Sequence, residues 1–236
     1  FNGSYNGNIT FARVPKFNQG LDLNYRKGKI NFFGNYNYSD QKTLNGGVMT
    51  QLDDNSQQIF DIVNDNKVHT FKVGFDIYAN DKNTFSLYTN QTYGDGIGTV
   101  DNTISYPSSP LLLQTDQYIG ANKSQIYNAA YKKLFTKAGQ TLDFEVNYSK
   151  TNDDQNGNFG IAGNSPTKYN DNSNNTVDAV QANLDYVHPF NEKTKLELGA
   201  EYRTTTIDNT YRTTNVIGNQ TDFEYKMDIA SAYATF

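Results

Sequence analysis

The chain has 236 residues, with 18 Tyr, 15 Phe, two His, no Cys, no Trp and a formal charge of -5. Without cysteine it has neither a disulfide framework nor a thiolate zinc site, and its acidic balance gives no general basic field for nucleic acid. Its mean hydropathy is -0.74, and its longest purely aliphatic run, Leu111–Leu113, is far short of the roughly 20 residues of a spanning helix.

Low hydropathy leaves a membrane strand open, because such a strand turns only alternate residues to lipid. Residue 1 is Phe and no basic-then-apolar leader precedes it, so the expectation is a mature chain or a piece of one.

Period two begins at once. Phe1, Gly3, Tyr5, Gly7, Ile9 and Phe11 alternate with Asn2, Ser4, Asn6, Asn8 and Thr10, as in a strand with one apolar and one polar face. Phe17, Leu21, Leu23 and Tyr25 repeat the pattern against Asn18, Asp22, Asn24 and Arg26. Lys27-Gly28 then predicts a two-residue turn, where glycine supplies the positive φ of a tight hairpin. A third strand carries Ile30, Phe32, Gly34, Tyr36 and Tyr38 on one face.

Seven more follow, marked by Phe71 to Ile77, Phe85 to Tyr93, Tyr127 to Phe135, Leu142 to Tyr148, Val180 to Tyr186, Leu196 to Tyr202 and Phe223 to Tyr233. The spacing predicts ten strands of about ten residues, the length of a tilted strand that crosses a bilayer.

The connections add an independent signal. Short turns are predicted at Lys27-Gly28, Ala79 to Asn83, Thr136 to Gln140 and Pro189 to Lys193, and long polar loops at 41–66, 95–121, 152–175 and 207–219. Only the first long-side link, Ala12 to Lys16, is brief. Alternation of this kind belongs to a barrel with tight turns on one rim and long loops on the other.

Charge segregates as well. Asp22, Arg26, Lys72, Asp76, Asp143, Glu145, Asp185, Lys195, Glu197, Glu201, Glu224, Lys226 and Asp228 are expected on the polar faces, with Lys133 the exception near a short turn. Aromatic residues such as Tyr25, Phe32, Tyr36, Tyr38, Phe135 and Tyr202 gather toward strand ends, as in interfacial girdles. A soluble sandwich or barrel also alternates, but its strands are usually shorter.

Sites of chemistry are sparse. His69 and His188 fall in separate predicted strands without a second His nearby, against the three or four convergent ligands a metal needs. No Gly-framed Ser accompanies either one, so no hydrolase triad is assigned. Asn152, Asp154, Asn156 and Gly157 imitate the start of a calcium loop, but Gly163 stands where the closing acid belongs. A solvated loop and weak calcium binding are the two readings there.

Gly94, Gly96 and Gly98 precede no amphipathic helix and are expected in a flexible loop. Ser105 to Leu113, with Pro107 and Pro110, is the most apolar part of any predicted loop. Either a contact with a ligand or partner, or ordinary packing, is open to it. Acidic and basic residues mix on the polar face, so charge does not select a solute.

Two stretches carry a family resemblance. Pro15 to Tyr36, with Gly20-Leu21-Asp22-Leu23-Asn24-Tyr25-Arg26 at its centre, resembles the first barrel hairpin of TonB-dependent receptors from Bacteroidota. Phe223-Glu224-Tyr225 followed by Ile229-Ala230-Ser231-Ala232-Tyr233 is similar to a strand of the same family. The resemblance rests on about forty residues and on strand order.

It implies an all-β antiparallel transmembrane β-barrel in the outer membrane of a Gram-negative bacterium. Residues 1–236 would be the N-terminal half of a barrel of about 22 strands, with the plug domain and remaining strands absent. The implied function is TonB-driven import of a scarce, bulky solute rather than an enzymatic reaction. Outer-membrane lipid, TonB through the absent plug, an unidentified ligand and a surface lipoprotein are the implied partners.

No catalytic, cofactor or metal residue is assigned, and the ligand contacts stay open. The alternatives are a structural or assembly barrel that acts as a partner platform, and a self-contained ten-stranded porin-like barrel.

Overall fold

The computed structural model describes residues 1–162, 167–215 and 220–236. Ten strands follow one another in a single antiparallel sheet: β1 (Asn2–Thr10), β2 (Lys16–Lys27), β3 (Ile30–Thr50), β4 (Gln57–Asn80), β5 (Asn83–Ser105), β6 (Leu112–Leu134), β7 (Thr141–Ala162), β8 (Thr167–Pro189), β9 (Lys195–Thr213) and β10 (Gln220–Thr235). Each strand pairs with its neighbours in sequence, and among the described residues β1 and β10 each have a single partner. Gly28 and Gly139 take positive φ (58° and 78°) in two of the short turns, the conformation that lets such turns close without a Cβ penalty.

The strands reach much further than their apolar patterns. β3 to β9 run for 19 to 24 residues, so the regions expected as loops at 41–66, 95–121, 152–175 and 207–219 are largely paired strand. Gln41 to Thr50 pairs residue by residue with Asn66 to Gln57, and Asn152 to Ile161 with Thr176 to Thr167. What stays outside the strands at these tips is 51–56, 106–111 and 214–215, while 163–166 and 216–219 lie outside the described residues. The physical reason is solvent. Past the lipid both faces meet water, so the backbone ladder continues while the apolar alternation stops.

Among the described residues the sheet has no second layer and no hydrophobic side chain is buried. On the apolar face Phe75 is 45% exposed, Leu87 49% and Leu184 43%. Apolar exposure over so many strands far exceeds the few hundred Å² that a water-soluble surface carries; it fits a face turned to lipid. Cross-strand partners lie on one face, so the register traces an apolar rung through Ile30, Ile77, Phe85, Tyr131, Phe144, Leu184 and Ala200.

The apolar belt does not follow the rungs. Leu21, central to the belt of β2, continues along its rung to Tyr36 and Phe71, then to Gln91, Gln125, Lys150 and Asp178. The belt therefore slips toward the short turns by roughly one residue per strand; with ~3.4 Å of rise and ~4.8 Å between strands this is a tilt of roughly 35°. A level lipid slab crossed by tilted strands produces this slip. Tyrosines mark its upper edge along the same slope, from Tyr38 on β3 through Tyr127 and Tyr148 to Tyr202 on β9.

Strand β10 departs from expectation. Its Phe223, Tyr225, Met227, Ile229 and Tyr233 pair with Asn209, Ile207, Thr205, Arg203 and Gly199, which stand on the polar face of β9. Tyr233 lies across Gly199 and donates its hydroxyl to Asp185 Oδ1 of β8 at 2.8 Å. The belt of β10 is instead Ala230, Ala232 and Ala234, level with Tyr202, Ala200 and Leu198. Glu224, Lys226 and Asp228, expected on the polar face, thus share the lipid-side face above that belt, and Asp228 Oδ1 accepts from the Tyr202 hydroxyl at 3.1 Å. Bulk misled the sequence pattern here: small alanines meet the lipid and the larger side chains turn inward, since a one-residue change of register exchanges the faces.

The other charges are placed as expected. Lys133, the exception, stands one residue before the end of β6 with its ammonium 4.7 Å from the Phe135 ring centroid, where a long stem reaches the interface.

Two outcomes follow. Val146→Lys, on the lipid face, should cost about 2–4 kcal/mol of unfolding stability in lipid vesicles, while Asn147→Lys, next in the chain on the opposite face, costs under about 1 kcal/mol. Cysteine at Ala232 should react with a bilayer-soluble maleimide and cysteine at Tyr233 should not; the reverse preference would restore the face expected from the sequence.

Candidate functional site

Beyond the belt, on the long-loop side, the polar face carries an organised surface. Gly94, Gly96 and Gly98, expected in a flexible loop, lie in β5 on this face, followed by Gly120 on β6 and Gly157 on β7. Without side chains of their own, Gly96 and Gly98 leave room for the Asn66 and Asn64 amides to lie across them, and Gly120 stays open. These glycines leave a depression of about 390 Å³ lined by Asn64, Asn66, Gly96, Gly98, Val100, Tyr118, Gly120 and Gln155.

Two rungs border it. One runs Gly98, Tyr118, Gly157, Asp171, and the next outward runs Val100, Asp116, Phe159, Tyr169. Phe159 lies over Gly157, where an added Cβ would come within 2.6 Å of its ring. It meets Tyr118 edge-on at 5.5 Å between centroids and stacks on Tyr169 at 4.5 Å with 11° between planes. Offset and T-shaped pairs of this kind are the favoured arrangements of aromatic quadrupoles.

Two carboxylates flank the rings. Asp116 is 5% exposed; its Oδ2 accepts from Gln114 Nε2 at 2.7 Å and its Oδ1 has no partner. Asp171 Oδ1 is likewise buried and unpartnered. Burial raises the Asp116 carboxyl above the usual carboxylate range, partly offset by the Gln114 hydrogen bond. The Tyr118 phenol is raised by burial first and by the Asp116 charge second, and Tyr169 by burial and then by Asp171 and Asp116.

The sign of this wall is one-sided. Over the extramembrane parts of β4 to β8, the polar face carries Asp116, Asp153 and Asp171, whereas Lys123, Lys150 and Lys168 stand on the opposite face; on β9, Arg212 shares that opposite face and Arg203 stands on the polar face beside the belt. The mixture of charges expected along the whole polar face is found nearer the short turns, as in Lys132 with Asp143 at 3.1 Å. Sequence reasoning passed over this cluster because its residues fell in expected loops. The signal was present as Asp116-Gln117-Tyr118 and its reverse, Tyr169-Asn170-Asp171, legible once face parity is carried outward from the belt.

The other candidates do not assemble. Asn152, Asp154 and Asn156 share the outer face of β7 and are separated from Gly157 by parity; Asn156 Oδ1 accepts from Asn172 at 2.7 Å and Asp154 from Asn174. Gly163 lies outside the described residues. Residues spaced by two along a strand are ~7 Å apart and do not wrap an ion as a calcium loop does.

His69 and His188 occupy opposite rims of the belt. Tyr36 Oη lies 2.7 Å from His69 Nδ1, and Tyr186 Oη lies 3.2 Å from His188 Nδ1. Among the described residues no three His, Asp or Glu side chains converge as a metal site requires. In the apolar stretch, Ser105, Leu112 and Leu113 belong to strands, while Tyr106 to Leu111 form the tip between them.

Comparison with known proteins gives the setting. Residues 133–236 match the outer membrane protein beta-barrel family. A search of curated proteins finds no match in sequence. Among solved structures, the chain is similar to the ferric yersiniabactin uptake receptor FyuA from Yersinia pestis, at 9% identity and a TM-score of 0.39, over 98% of this chain and 42% of that one. The alcaligin outer-membrane receptor FauA from Bordetella pertussis gives 12%, 0.44, 98% and 39%. The outer-membrane protease OmpT from Escherichia coli gives 10%, 0.32, 99% and 87%. The chain thus spans about two fifths of the length of these two receptors, FyuA and FauA.

Removing the Asp116 charge should lower the titration midpoint of Tyr118, since a neighbouring anion disfavours the phenolate. Asp116→Asn followed by NMR of ring-labelled tyrosine checks this, and an unchanged or higher midpoint would separate the two groups. Matched family, tilted two-faced strands and lipid-suited belt agree: the ten-stranded antiparallel sheet is an outer-membrane β-barrel fold, and the chain resides in the outer membrane.

Proposed function

We propose that the chain is one sector of a receptor that imports a scarce, bulky solute across the outer membrane in a TonB-dependent way, as part of a barrel of about 22 strands filled by a plug. In this reading it is not an enzyme, and it comes from a Gram-negative bacterium of the Bacteroidota. One observation carries the reading. The polar face continues past the belt as rigid paired strand and there presents ordered recognition groups, Tyr118, Phe159, Tyr169, Asp116 and Asp171, ahead of the membrane crossing. A passive pore needs polarity along its wall; capture of a dilute solute needs a preorganised surface on the entry side.

A second reading, a platform for a surface partner, has its own support. Leu52 is 88% exposed at the β3–β4 tip, and Leu111 and Tyr106 are exposed at the β5–β6 tip. Apolar residues gathered on loop ends outside a membrane suit a protein partner.

Whole-cell accumulation of labelled solutes by cells carrying or lacking the full gene separates the readings. Import predicts accumulation that requires the gene and that a protonophore abolishes. Accumulation that is gene-dependent but indifferent to the protonophore would point to a passive pore, and growth defects rescued without any solute uptake would favour the platform.

A further inference from the structure

The acidic aromatic wall is specific enough to name what it would recognise. Its three rings offer π-faces and edges, and Asp116 and Asp171 each carry one buried carboxylate oxygen without a partner among the described residues, while Tyr211 donates its hydroxyl to the Asp171 carboxylate. A buried acceptor without a donor is costly, and its cost is recovered when a donor arrives. No basic side chain of β4 to β8 supplies that donor: over their extramembrane parts the described lysines project from the opposite face, and Arg203, on the polar face of β9, stands beside the belt opposite Gln181.

Asp116 is the better placed of the two. It pairs across the sheet with Val100 on one side and Phe159 on the other, and Val100 and Tyr118 both line the glycine-floored depression. A ligand lying over Gly120 and the Asn64 and Asn66 amides would bring one end against the Tyr118 ring, with Asp116 on the next rung outward.

Neutral hydrogen-bonding ligands would use the Asn64, Asn66 and Gln155 amides of the floor but would gain little from a carboxylate pair. An anion would be repelled. A cation gains from both halves of the site, from the ring quadrupoles and from charge-assisted hydrogen bonds. We propose that the wall formed by Asp116, Tyr118, Phe159, Tyr169 and Asp171 is a recognition site for an organic cation, an ammonium or guanidinium group carried by the solute. The inference rests on the uptake reading for its biological sense, but the site itself is defined by binding alone.

The test is calorimetric titration of the full-length protein in detergent with agmatine, which carries guanidinium and ammonium groups, and with its uncharged ureido-amide analogue. Agmatine should bind at least about tenfold more tightly than the neutral analogue. Asp116→Asn and Tyr118→Leu should each weaken agmatine by about tenfold and leave the neutral analogue unchanged.

Gel mobility before and after heating reports whether each variant is folded. Should Asp116→Asn fail to fold, Asp171→Asn offers the same loss of charge at the second carboxylate. Equal affinity for the two probes, no binding of agmatine, or full retention in folded variants would overturn the proposal. Tight, Asp116-dependent binding in a protein whose gene gives no energised uptake would leave the site standing and remove the transport reading.

Discussion

The hydrocarbon of a bilayer contains no water to satisfy a peptide group, so every N–H and C=O that crosses it must be paired within the protein. The continuous antiparallel ladder meets that demand for β2 to β9, each bonded to both sequence neighbours, and along one edge of β1 and of β10. Everything else in the structure is built on this ladder. Cross-strand register forces paired residues onto one face, and the two faces then divide into an apolar belt and a polar wall. A soluble sheet of the same sequence would need a second layer to cover Phe75, Leu87 and Leu184, and the described residues form none.

Because the lipid slab is level and the strands are tilted, the belt crosses the rungs at an angle. That one geometric fact explains why the rung of Leu21 turns polar at Gln91 and charged at Lys150, and why the tyrosine edge descends from Tyr38 to Tyr202. It also accounts for β10, where three alanines occupy the level that bulky residues hold elsewhere and Asp228 sits at the rim beside Tyr202. Outside the slab the ladder persists for another reason, as a rigid mount. Phe159 can lie over Gly157 and stack on Tyr169 because three adjacent strands hold their register well past the bilayer.

The sequence made the ten strands, their order and the short turns legible, because lipid requires strict alternation and glycine marks the turns at Gly28 and Gly139. It hid the outer halves of the strands. Residues such as Asn152 to Asn158 carry no hydropathic period once water lies on both sides, so they read as loop although each is paired. The face of β10 was hidden for a different cause: Ala230, Ala232 and Ala234 are weakly apolar beside Phe223 and Tyr233, and only the partner strand decides which set meets the lipid. The Asp116 and Tyr118 cluster was legible in principle, since parity from Tyr127 and Tyr131 places both residues on the polar face. It needed the knowledge that β6 runs unbroken from Leu112 to Leu134.

The central claim is that one strand serves first as a lipid-crossing and then as an extramembrane wall without interruption. Spin labels placed singly along β7 from Leu142 to Ala162, in the full-length protein in vesicles, test it through collision with oxygen and with a water-soluble nickel complex. The account predicts strong oxygen contact at Leu142, Phe144, Val146 and Tyr148 alone, then low mobility with nickel access at positions from Lys150 onward. High mobility from Asn152 onward would mean that the strand ends at the membrane, and the recognition wall would go with it.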